Sequence, residues 1–238
     1  MQVIPFLLFA AIPYVLPPSA IVIEARKIPT AAHADRVVVL WMEGASLSPC
    51  WDEAEPYAPS CPDATRGCHY SGPTRISLID TRAARLINTI SVSNPDTGED
   101  RFDVPYLIEN DGPYLVPGPK KYGKPRLLRF RDLNGDGSAL EFALFDAQSC
   151  SDMYIATFGY SRKQDRLLQY LFRLADADDP ASDPFVSDWI ENFAFQHPVS
   201  RFTWHWKVVH PGGEEEYDVR YDPSLEQFEG TVRSVEQP

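Results

Sequence analysis

Positive charge is what this chain is short of. It carries 22 Lys and Arg against 34 Asp and Glu, a formal net charge of −12 at pH 7. Sequence-independent contact with nucleic acid needs Lys and Arg against phosphate, and docking on anionic lipid needs the same residues. The composition therefore argues against both partners, and it suits a solubilised monomer or a cation binder. Cysteine is scarce too: Cys50, Cys61, Cys68 and Cys150 are the only four. No two of them form a C-x-x-C pair, which removes the usual zinc spacing. An even number fits disulfides in an oxidising compartment. Cys61–Cys68, across the turn-rich link Pro62 to Gly67, and the longer Cys50–Cys68 closure both remain open.

Catalytic signatures are missing. The five histidines, His33, His69, His197, His205 and His210, make no H-E-x-x-H or H-x-H unit. Gly44-Ala45-Ser46-Leu47-Ser48 lacks the closing glycine of a nucleophile elbow. Charge of either sign is absent before Glu24, where Phe6 to Ile12 forms an apolar run ended by Pro17-Pro18-Ser19-Ala20. That pattern reads as a signal peptide over residues 1–20, giving a periplasmic or secreted protein with no membrane attachment after its removal. Pro5, Pro13, Pro17 and Pro18 disfavour a retained spanning helix.

Helical periodicity is nearly absent as well. Val186, Trp189, Ile190 and Phe193 lie at i, i+3, i+4 and i+7, with Ser187 as an N-cap, and predict one short helix. What remains is strand pattern. Val37 to Met42 is a continuous apolar run, expected to be covered on both faces. Residues 43–73 lose all periodicity and read as a long, proline-punctuated insertion. Alternation returns at 74–80, 86–92, 153–160, 167–172, 201–209, 217–221 and 228–232. Three hairpins share a loose form, each with an apolar residue followed by Asp80, Ser161 or Asp222 and then a polar connection. The expectation is a mainly β protein, an antiparallel β-sandwich or meander with one short helix. Residues 21–238 form a single β-rich domain, with a subdomain break near 117–125.

One stretch carries chemistry. Asp132, Asn134 and Asp136 alternate, Gly135 and Gly137 permit a sharp turn, and Ser138 and Glu141 follow. Oxygen-bearing side chains at alternate positions converge when the chain curls, and calcium takes about six to eight oxygens in flexible geometry. The D-x-N-x-D-G pattern resembles the calcium loops of EF-hands, dockerins and FG-GAP and VCBS repeats. The resemblance implies a calcium ion held by Asp132, Asn134 and Asp136, with the Ser138 carbonyl and Glu141 as further ligands. Ala143 stands at the twelfth position, where an EF-hand has Glu, and Leu140 stands at the ninth, where FG-GAP loops have Asp. The flanking runs favour strand–loop–strand. Elsewhere the chain resembles exported bacterial proteins of unassigned role.

Two functional classes follow. The first is an exported non-enzymatic structural or binding β domain, calcium-stabilised, with an unspecified ligand. The alternative is a secreted hydrolase using Asp or Glu carboxylates and His69 or His205. A deep pocket with facing carboxylates discriminates the second from the first.

Overall fold

The computed structural model describes residues 15–30, 33–47, 69–95, 97–105, 127–147, 153–179, 181–210 and 213–236. All four cysteines and the segment 117–125 lie outside these residues. By contact the chain groups into two compact units. One takes Met1–Leu128 with Tyr160–Leu168, and the other takes Arg129–Gly159 with Gln169–Pro238. The sequence reading took one domain with a join near 117–125. The contacts place the join after Leu128, with a short return to the first unit at the tip of a later hairpin.

In the first unit β1 (Ala20–Lys27), β2 (Arg36–Glu43), β5 (Thr74–Asp80) and β6 (Arg85–Val92) form an antiparallel sheet in that spatial order. A smaller antiparallel sheet joins β3 (Ser46–Leu47), β4 (His69–Gly72) and β7 (Phe102–Pro105). The apolar run of β2 is buried on both faces, as its sequence implies. Val37, Val39 and Trp41 share one face and pack with Ile79 and Leu16, while Val38, Leu40 and Met42 alternate onto the other. Burying a Leu, Ile or Val side chain is worth about 1.5–3 kcal/mol, so this strand anchors the unit.

The second unit holds β8 (Glu141–Ala147) paired with β9 (Met153–Ser161), and β13 (Ile190–Glu191) on the far side of β9. β10 (Arg166–Gln169) closes a hairpin with β9. A second sheet runs β12 (Phe185–Ser187), β11 (Phe172–Asp176), β16 (Gln227–Glu236), β15 (Gly213–Asp222), β14 (Thr203–His210). β14 to β16 are the expected meander, and β11 pairs parallel with β16. Trp204, Trp206 and Val208 point inward and His205 and Lys207 outward, as strict alternation requires. Phe172 and Phe228 stack at 4.6 Å, and Phe193 meets Phe228 at 4.9 Å, so the core of this unit is aromatic.

The mainly β, antiparallel architecture matches the sequence reading. Its short helix does not form as expected: the only helical piece there is a 3-10 turn, Phe193–Phe195. Ser187 is no N-cap. Its hydroxyl oxygen accepts the Trp189 N–H at 3.1 Å and its own hydrogen goes to the Trp189 carbonyl, a local turn that competes with a helix. Ser187 pairs with Phe172 and Ile190 with Ile155, so the apolar stripe is spent on two sheets. Asn192 then adopts the left-handed region at φ 56°, which breaks the path before Phe193.

The three related hairpins share one turn. Asp80 accepts N–H bonds from Arg82 and Ala83, Ser161 from Gln164, and Asp222 from Ser224 and Leu225. Four residues on from each stands a non-glycine at positive φ: Ala84 (48°), Asp165 (48°) and Glu226 (54°). The short polar side chain replaces the missing first-turn partner, and the left-handed residue reverses the chain without glycine.

Candidate functional site

The Asp132 loop is pinched at its base by a two-hydrogen-bond bridge, Arg131 N–H to the Glu141 carbonyl at 2.7 Å and the reverse at 3.0 Å. Leu133 and Leu140 are buried beside that bridge, and Phe130 meets Phe142 edge-on at 5.7 Å. The apolar flanks therefore seat the loop, with Asp132 and Asp136 facing out and Asn134 and Glu141 buried. Gly135 (φ 74°) and Gly137 (φ 88°) sit in the left-handed region. At Gly135 a β-carbon would also stand 3.1 Å from the Phe202 nitrogen.

The three alternating side chains fold back over the loop. Asp132 accepts the N–H groups of Asp136 (3.1 Å) and Gly137 (2.8 Å) on its two oxygens. Asn134 Oδ1 accepts the Asp136 N–H at 3.0 Å, and Asp136 Oδ1 accepts the Ser138 N–H at 2.7 Å. Asp132 and Asp136 are exposed and Asn134 is buried. Each carboxylate has about four lone-pair sites, so these bonds leave acceptor capacity for a cation. The Ser138 carbonyl accepts the Leu140 N–H at 2.9 Å and keeps its second lone pair.

Glu141 lies behind the loop, 1% exposed. Its Oε2 accepts the Leu133 N–H at 3.2 Å and its Oε1 the Asn134 side-chain amide at 3.3 Å. Burial, then the nearby charges of Asp136 and Asp132, push its carboxyl up to about 8. The same amide of Asn134 reaches the Tyr170 hydroxyl at 3.5 Å, and burial raises that phenol well above its ordinary range. So Asp132, Asn134, Asp136 and Ser138 come together on one loop, while Glu141 turns inward to Asn134. Among the described residues no three His, Cys, Asp or Glu side chains converge as a metal cluster by themselves. An ion here would draw on the Asn134 and backbone oxygens as well.

The histidines are scattered. His205 Nδ1 stands 2.9 Å from Asp218 Oδ1, both exposed on the outer face of β14 and β15. His210 lies 3.5 Å from Glu191, His33 meets the Tyr160 ring edge-on at 5.5 Å, and His197 is exposed. His69 belongs to β4, paired with Pro105. A surface depression lined by Asn94, Thr97, Glu99 and Arg101 holds no facing pair of carboxylates.

Sequence reasoning missed one charged cluster in the first unit. Arg36 binds Asp165 through two bonds, 2.9 and 2.6 Å, and Asp80 at 2.8 Å, while Tyr160 donates to Asp165 at 2.7 Å. The Arg36 bond holds the Asp165 carboxyl down at about 2. Asp80 and Asp165 are turn residues of two of the related hairpins. That repeat was the available signal, but nothing in it named Arg36. Comparison with protein-family models, with curated proteins and with solved structures gave no match.

Proposed function

We propose that this is an exported, non-enzymatic structural or binding β domain whose Asp132 loop takes a calcium ion. One observation carries the reading. Asp132, Asp136 and Glu141 lie around one pinched loop, and no ion pair among the described residues reaches any of them. The Asp132 and Asp136 charges help to hold the buried Glu141 carboxyl in its protonated form, and a divalent cation would offset those charges. Asp132, Asn134 and Asp136 supply side-chain oxygens and Ser138 a carbonyl, with Glu141 orienting Asn134 or closing the shell. Calcium tolerates irregular oxygen geometry, whereas magnesium demands a near-octahedral set and keeps its waters.

A second reading has its own support. The four N–H bonds onto Asp132, Asn134 and Asp136 are also those of a self-capped polar turn. The two readings separate on heating. At a free calcium concentration of about 100 Kd, binding to the folded state alone adds roughly 2.7 kcal/mol. For a chain of this size that raises Tm by about 5–10 °C. Wild type should show this shift relative to chelator, with a smaller one in magnesium, and Asp136→Ala should show none. Equal melting in millimolar calcium and in chelator leaves only the polar turn.

A further inference from the structure

The apolar start of the chain predicts processing near Ala20, yet the structure uses residues ahead of that point. Leu16 is buried at 6% exposure among Val37, Val39, Trp41 and Ile79, with Val15, Ala20 and Ala25 packed around the same cluster. These are the residues on one whole face of β2 and its neighbour on β5. β2 is an unbroken apolar strand, so each of its faces needs a cover, and Leu16 is part of the cover on this one. The backbone is tied in as well. Ala20 N–H donates to the Pro17 carbonyl at 2.9 Å, and Gly44 N–H donates to the Ser19 carbonyl at 3.1 Å. Ala20 and Ile21 are themselves in register with Glu43 and Met42 of β2. Pro17 and Pro18 have fixed φ, which limits the ways in which the chain can connect Leu16 to β1.

We infer that Val15 to Ala20 is a permanent part of the folded body, and that any processing cut falls on the N-terminal side of Val15. A cut after Ala20 removes Val15, Leu16 and Ala20 from the cover over Val37, Val39 and Trp41, leaving Ile79 and Ala25 against them. It also frees the Gly44 N–H that Ser19 holds, at the start of the turn out of β2. The inference stands apart from the calcium reading, because no residue of the Asp132 loop takes part in it.

Two measurements test it on the full-length chain. The protein is expressed from its first residue, and the intact mass of whatever matures is determined. A first residue at or before Val15, including an unprocessed Met1, supports the inference; a first residue of Ile21 overturns it. Separately, Leu16→Asp in the full chain should lower Tm by roughly 5–15 °C, the range for losing a buried leucine, whereas Leu16→Met should cost far less. Wild-type melting of Leu16→Asp would show that the cluster does not need the residue and would also overturn it.

Discussion

Three carboxylates show how position sets the behaviour of one functional group. Asp165 is held down at about 2 by the Arg36 fork, so it contributes stability above the ordinary carboxylate range that is lost as pH falls through about 2. Asp165→Asn should therefore lower stability at neutral pH and weaken the acid limb of a pH–stability profile, with Arg36→Ala costing more because it strands Asp80 and Asp165 together. Glu141 works in the opposite sense. Its carboxyl is raised to about 8, so without a cation its contribution is complete below the ordinary Glu range and lost as pH rises through about 8. Glu141→Gln should thus raise Tm at pH 8 in chelator and flatten the profile below it; a lower Tm there would contradict the burial argument. Glu24 is the third case. It is buried and accepts the N–H groups of Leu127 (2.5 Å) and Leu128 (3.1 Å), tying that segment to β1. That Asp132, Asn134, Asp136 and Ser138 share one tightly turned loop was legible in the sequence. The inward turn of Glu141 onto Leu133 and Asn134 was not, because burial decides it, nor were the partners of Arg36, which lie far along the chain at Asp80 and Asp165.

Strands and turns were read well where local pattern decides them. β5 and β6, β9, and β14 to β16 fall where alternation placed them, while the strand expected over 167–172 is divided between β10, which ends at Gln169, and β11, which begins at Phe172. The tip at 81–85 lacks the glycine of a tight turn, and the structure shows why none is needed: Asp80 caps the turn and Ala84 takes the left-handed place at φ 48°. A non-glycine there costs on the order of 1 kcal/mol. Ala84→Gly should recover about 0.5–1 kcal/mol in a denaturant titration, while Ala83→Gly, one step earlier, should give no gain. The helix at 186–193 failed for a reason periodicity cannot contain. An apolar i, i+3, i+4, i+7 stripe also fits two short strands that bury alternate residues in different sheets, and Ser187 and Asn192 settle the choice through local bonds and φ.

At the scale of the molecule, composition named the class and little else. The acidic balance, sparse histidine and β pattern gave a mainly β body, and the structure bears out that architecture. The grouping into two units was hidden, because residues 160–168 return to the first unit from within a strand, and no break in composition marks that return. The proposed function rests on the loop where the carboxylates of Asp132 and Asp136 stand on the surface and Glu141 is buried. The most direct measurement is a calcium titration by calorimetry on chelator-stripped protein, with the bound metal counted per chain. The account predicts one calcium ion for the wild type and none for Asp132→Ala at the same concentrations. Wild-type protein that takes up no calcium through the millimolar range would contradict it.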